Sequence, residues 1–269
     1  MSMSPCSDTV SQALFQSLIK GPPLVGNLPE AEAFPCRQII STGEKNTLNL
    51  EQKLGHLYED ALTALLESTP QYETLGKAIQ IQDSKSQTLG ELDFLIRDLS
   101  VGQLIHLELA VKFYLAVQSE AGVLLPGPDA RDNYFRKLER MRTHQLQLVK
   151  KFRSLLPELF RHENITVQQL VHGCIFDHIH ASHAAAAEFL NADCRRGKWL
   201  RQKECTEYFG RNTTLKVIPK PLWPVPLGLL PPLELETWNP DDHLKRCVMV
   251  QVNSIHTPHF ITPNGYPSA

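Results

Sequence analysis

Asp93, Glu108 and Lys112 are the residues whose types and spacing best lend themselves to chemistry. They lie in the stretch GELDFLIRDLSVGQLIHLELAVKFYLAV, residues 90–117. Two carboxylates supply hard oxygen ligands of the kind that Mg²⁺ or Mn²⁺ takes. A metal ion held there would polarise a phosphoryl oxygen and acidify a bound water. A nearby ammonium would offset the negative charge that develops. The competing reading is a set of surface charges in a cross-strand ion pair, with little net energy.

Whether these groups meet depends on the elements that carry them. Residues 104–117 alternate with period 2. Ile105, Leu107, Leu109, Val111, Phe113, Leu115 and Val117 share one parity; Leu104, His106, Glu108, Ala110, Lys112, Tyr114 and Ala116 share the other. The first set is too apolar to face water, so a strand buried on that side is expected. Residues 91–98 read as its hairpin partner, with Leu92, Phe94 and Ile96 opposite in parity to Glu91, Asp93, Leu95 and Arg97. Pairing that joins the apolar faces puts Asp93 on the side of Glu108 and Lys112.

Upstream, EQKLGHLYEDALTALLES reads as a helix, with Asn49 as N-cap and Gln52 completing a capping box. Leu54, Leu57, Tyr58, Ala61, Leu62 and Leu65 form its buried stripe, and Glu59 borders it. Gly55 weakens the helix by about 1 kcal/mol relative to Ala, which predicts close packing there. A strand follows at 72–82. Downstream, the spacing predicts a helix over 129–153, with Tyr134, Leu138, Met141, Gln145, Leu148 and Phe152 inward. Arg131, Arg136, Lys137, Arg140, Arg142, Lys150, Lys151 and Arg153 make it the most basic stretch. Such a helix either contacts phosphates or presents a solubilising face.

The remaining segments frame this middle. Residues 7–20 read as a helix, 21–35 as an ordered Pro- and Gly-rich loop, and 36–40 as a strand. His172, Cys174, Asp177, His178, His180 and His183 invite a zinc assignment, but no paired ligand spacing recurs, so structural histidines are the better reading. RRGKWLRQKE pairs cations with Trp199, which either stacks on a base or sits in the core. The prolines of LKVIPKPLWPVPLGLLPPLELETW exclude a central strand or helix and predict an extended segment with Trp223 tucked in. CVMVQVNS and HFITPNGYP predict strands of a second, smaller sheet shaping a cleft over the first.

Composition narrows the classes. The net charge of −2 gives no global basic field, so any nucleic-acid contact must be local. No run of about 18 apolar residues exists to span a membrane. The N-terminus lacks a secretory pattern, and the dispersed cysteines read as reduced thiols, which together predict a cytoplasmic protein. Protein partners and oligomeric state stay open.

Helix–strand–strand–strand–helix, with Glu59, Asp93, Glu108 and Lys112 placed as above, resembles the PD-(D/E)XK nuclease-like core. GPPLVGNL, LGHLYEDALTALL, GELDFLIRD, LELAVKFYL, KLERMRTHQLQL, KVIPKPLWPVP and HFITPNGYP together resemble DUF1853, a bacterial family classed with that superfamily. The resemblance covers nearly the whole chain, and GELDFL with LELAVKFYL is its most specific part. It implies an α/β (α+β) fold with a restriction-endonuclease-like core sheet flanked by helices. Residues 1–44 would pack on a core of 45–155, and 156–269 would form an extension compact with it.

The resemblance also implies a site. Asp93 and Glu108 would bind Mg²⁺ or Mn²⁺ with Glu59 completing the shell, and Lys112 would assist. Arg136, Arg140, Gln145 and Lys198 are the candidate contacts to DNA or RNA. One departure is plain: the family spacing Glu-x-Lys meets Ala110, and Lys112 stands about 6–7 Å further along the same face. The implied activity is phosphodiester hydrolysis of DNA or RNA. The alternative is an inactive nuclease-fold scaffold that binds nucleic acid or protein, with the proline-rich segment as a further protein-docking candidate.

Overall fold

The computed structural model describes residues 7–39, 47–120, 122–252 and 255–267. Helix α1, Ser7–Lys20, sends Val10, Leu14, Phe15 and Leu18 into the core. A short strand β1, Glu32–Ala33, follows. Cys36–Gln38 then form a 3-10 turn where a strand was expected, because Pro35 precedes them and Ile39 closes the turn onto Cys36 O. Residue 40 lies outside the described residues.

Helix α2, Leu54–Glu67, buries Leu57, Tyr58, Ala61, Leu62, Leu65 and Leu66. It starts later than the capping box predicted. The Asn49 side chain accepts the Glu51 N–H and closes a local turn, while the Gln52 amide reaches Asp60. Lys53 therefore stands at the N-cap with no side-chain cap. Gly55 is not a point of close packing: a Cβ there would meet nothing within 4 Å.

Strands β2, Tyr72–Gln82, β3, Thr88–Asp98, and β4, Gln103–Ser119, form an antiparallel meander. Strand β5, Gly122–Leu124, pairs with the end of β4. The expected long basic helix is broken. Asn133 caps α3, Tyr134–Thr143, by accepting the Phe135 and Arg136 N–H groups. At His144 the backbone leaves helical values (φ −126, ψ −66), and a 3-10 turn, Gln145–Gln147, leads to α4, Leu148–Lys151. Helix α5, Glu158–Arg161, follows Pro157.

Strand β6, Ile165–His178, lies parallel to β4 from Leu104↔Ile165 to Ala116↔Asp177. Strand β1 adds parallel to β6. Next come β7, Arg196–Arg201, helix α6, Cys205–Phe209, and strands β8, Leu215–Ile218, β9, Thr237–Trp238, β10, Val248–Val252, and β11, His259–Thr262. The expected second sheet does not form separately. β11 pairs parallel with β7, so the late strands extend one sheet, 11-stranded among the described residues, whose main path runs β2-β3-β4-β6-β7-β11-β10-β8-β9 with β1 and β5 off it. β8 forms because its residues precede Pro219; the proline-rich run after it holds only 3-10 turns. Among the described residues no helix is long and apolar enough to cross a membrane.

The fold is mixed α/β, a large sheet flanked by helices. One face packs Leu107, Leu109, Phe113 and Leu115 of β4 against α1 and α2. The other packs Ala110, Tyr114 and Ala116 against Tyr134, Leu138 and Met141 of α3. Both parities of β4 are thus largely buried. Trp199 is core, its indole N–H donated to Ala116 O. His172 is likewise buried, stacked on Tyr58.

On β6, Gly173 stands opposite Lys112 of β4. Gly173 holds φ +153, and a Cβ there would lie 1.7 Å from Lys112 O. Gly173→Ala is therefore expected to destabilise the protein by about 3 kcal/mol or more through backbone strain and overpacking. Urea titration measures this, and an unchanged midpoint would contradict the packing described.

Candidate active site

The β3–β4 ladder stops at Phe94↔Leu107. One residue beyond, the strands part. The Leu109 N–H, which a β3 carbonyl would otherwise take, is donated to Asp93 Oδ2 at 2.9 Å. The Asp93 carboxylate thus sits in the fork where β3 leaves β4, beside the next inward residue, Glu108.

Glu108 is fully buried. A carboxylate in such a place must be well hydrogen-bonded, and both its oxygens are. His106 Nε2 lies 2.8 Å from Oε1, and the Gln145 amide donates to Oε2 at 2.8 Å. With the His106 proton on Nε2, its Nδ1 is left buried without a partner. Gln145 Oε1 in turn accepts from the Lys137 ammonium at 2.7 Å. A chain His106–Glu108–Gln145–Lys137 therefore joins β4 to α3 and the turn after it.

The charges are coupled. Burial first, then the Glu108 charge, raise the Asp93 carboxyl to about 7; Glu59 adds to this, while the Leu109 N–H and Lys137 oppose it. The Lys137 ammonium is shifted down, first by burial and then by Lys112, against the pull of Glu108 and Asp93. Two acids and a lysine thus share one partly dry fork.

The residues singled out in the sequence divide accordingly. Asp93, Glu108 and Gln145 come together. Glu59 lies on α2, 3.3 Å from His56, close enough for its charge to reach Asp93. Lys112 is on the same strand as Glu108, but its ammonium is bound to Asp132 at 2.7 Å. Arg136 and Arg140 are exposed on α3, and Lys198 lies on β7, away from the fork. Lys137 was submerged among the many cations of 129–153. Its signal was its phase: three residues after Tyr134 and four before Met141, it falls on the inward stripe.

Among the described residues no group of three or more His, Cys, Asp or Glu side chains is placed to hold a metal ion. The donor set here is a pair of carboxylates. That suits a hard cation such as Mg²⁺, which often takes only one or two carboxylates and keeps several waters. Burial first, and the Glu108 charge after it, disfavour the Asp93 carboxylate, and a cation held beside it would oppose both.

Asp93 also sets a pH dependence. Folded, it holds its proton to about pH 7; its ordinary value is 3.8. Between these limits the native state binds more protons than the unfolded chain, so this group's contribution to stability falls as pH rises. Asp93→Asn should therefore raise the melting temperature at about pH 8, by about 2–4 °C for each kcal/mol recovered, and not at about pH 4. Thermal melts at both pH values decide it; equal shifts would mean that Asp93 is not held in this environment.

No curated protein and no solved structure gives a significant match to the chain. A family model described as a domain of unknown function, DUF1853, matches residues 28–259, from the loop after α1 to the start of β11, and so contains the whole fork. The chain belongs to the DUF1853 family.

Proposed function

We propose that the chain is a metal-dependent phosphodiesterase acting on DNA or RNA, with a site of the PD-(D/E)XK kind at the β3–β4 fork. The observation that carries this reading is the pairing of Asp93 with the buried Glu108, with Lys137 beside them. Mg²⁺ or Mn²⁺ bound at the carboxylates would supply Lewis acidity and an acidified water. Asp93 and Glu108 are the residues that would hold it, and Glu59 stands behind Asp93.

The protein's own groups have separable tasks. Gln145 fixes the Glu108 carboxylate with its amide and Lys137 with its carbonyl, so acid and cation are positioned by one side chain. His106 holds the other Glu108 oxygen. Each Glu108 oxygen has a further lone pair, so these bonds leave acceptor capacity. The Lys137 ammonium can donate to a phosphoryl oxygen as its charge grows. It occupies from α3 the role that Ala110 leaves empty on β4. Lys112, tied to Asp132, neighbours the fork and tunes Lys137 by its charge.

Purified protein assayed with Mg²⁺ or Mn²⁺ on labelled single- and double-stranded DNA and RNA tests this. Asp93→Asn and Glu108→Gln should each lower kcat at least about 10²-fold, and Lys137→Met about 10²–10³-fold. Lys112→Met should cost less than about tenfold. No metal-dependent cleavage, or cleavage indifferent to Asp93→Asn and Glu108→Gln, would overturn the reading.

The burial of Glu108 and the engagement of both its oxygens favour a second reading, a nuclease-fold scaffold that binds nucleic acid without cutting it. Calorimetry separates the two: absent Mn²⁺ binding with retained, salt-dependent nucleic-acid affinity selects the scaffold.

A further inference from the structure

Beyond the fork, β4 has no β3 partner. Strand alternation turns the Val111 and Phe113 N–H groups the same way as those of Leu109 and Leu115, which end on Asp93 and on Pro126 O. Val111 and Phe113 of this edge line a cleft of about 980 Å³, the upper end of the size range of ligand pockets.

The cleft is strongly basic in a chain whose net charge is −2. Lys53, Lys112, Arg131, Lys220, Lys245 and Arg246 line it. Its acids, Asp129 and Asp132, are already bound to Arg131 and Lys112. Among the described residues, Lys53, Lys245 and Arg246 form no ion pair with a carboxylate, while Lys220 lies over the Trp223 ring and its charge reaches Asp129. The first residues of α2 also face the cleft, and no acid stands in that helix's first turn. Gly55, with open space where a Cβ would stand, leaves the backbone there accessible. Trp223 also lines it, edge-on to Phe113. A low-dielectric cleft lined by one sign of charge concentrates the opposite sign.

We propose that this cleft binds the phosphate backbone of a single nucleic-acid strand and leads it along the free edge of β4 to Asp93 and Glu108. The spacing supports the geometry. Glu108 and Lys112 lie about 13 Å apart along the strand, at about 3.3 Å per residue, so a strand of a few nucleotides reaches from one to the other. A ligand-sized cleft lined by cations from several segments of the chain and by Trp223 suits one strand, as grooves for single strands do. The substrate of the proposed phosphodiesterase is then single-stranded or frayed at the point of entry. This inference rests on that reading of the fork.

The test is fluorescence anisotropy of the full chain in EDTA, with a short labelled single-stranded oligonucleotide, its duplex, and pyrophosphate as competitor. Lys245→Gln/Arg246→Gln, both exposed, should weaken single-strand binding at least about tenfold and flatten the slope of log K against log salt by about 1.4, two contacts at about 0.7 each. Lys85→Gln/Arg211→Gln, an equal loss of charge outside the cleft, should change neither. Single-strand binding untouched by the cleft variant overturns the inference. So does a duplex bound as tightly and weakened equally. So does pyrophosphate binding without oligonucleotide binding, which would mark a small-anion pocket. Cleft-dependent strand binding without metal-dependent cleavage keeps the cleft and removes the phosphodiesterase; cleavage unaffected by the cleft variant does the reverse.

Discussion

One hydrogen bond organises the centre of this protein. The Leu109 N–H needs an acceptor where β3 turns away, and Asp93 gives its carboxylate in place of a main-chain carbonyl. A backbone donor left unsatisfied in a buried sheet costs about 1–3 kcal/mol, so the substitution lets the strands part without that loss. The parting in turn buries Asp93 beside Glu108, raises its affinity for a proton, and frees the edge of β4 that lines the basic cleft. The acidic fork and the cationic cleft are two results of one divergence.

A buried Glu108 is the cost of that arrangement, and the helices answer it. The break at His144 redirects the chain so that Gln145 reaches the carboxylate from outside the helix axis. A continuous helix through 145 would have kept the side chain in phase with Met141 and Leu138. On the opposite face, α2 brings Glu59 near but leaves it partly exposed and shared with His56. Negative charge therefore concentrates in the fork from both faces of the sheet, while Lys137 enters from one.

Much of this was legible in the sequence because period-2 and period-3.6 patterns report burial directly. β2, β3, β4, α1 and the stripe of α2 could be read to within a few residues. The shared side of Asp93 and Glu108 followed from parity alone. What parity could not show was the end of the ladder after Phe94, since strand divergence is set by what packs on the sheet. The capping box at Asn49 failed because an Asx turn competed for the same side chain. The helix break at His144 left no proline or glycine as a sign. Local pattern makes the late strands look like a separate sheet, because pairing of β11 with β7 is a long-range choice that it does not encode. Lys137 was hidden by its company: one lysine among many cations, distinguishable only by phase.

The long parallel match between β4 and β6 carries a kinetic consequence. Every one of its rungs joins residues about 60 positions apart, and closing such loops before any contact rewards them slows folding. A nascent chain that has emerged only through α3 holds β4 with one side bare, a sticky ribbon until β6 arrives. The wait for the strand that covers β4 is a period of exposure to aggregation during synthesis.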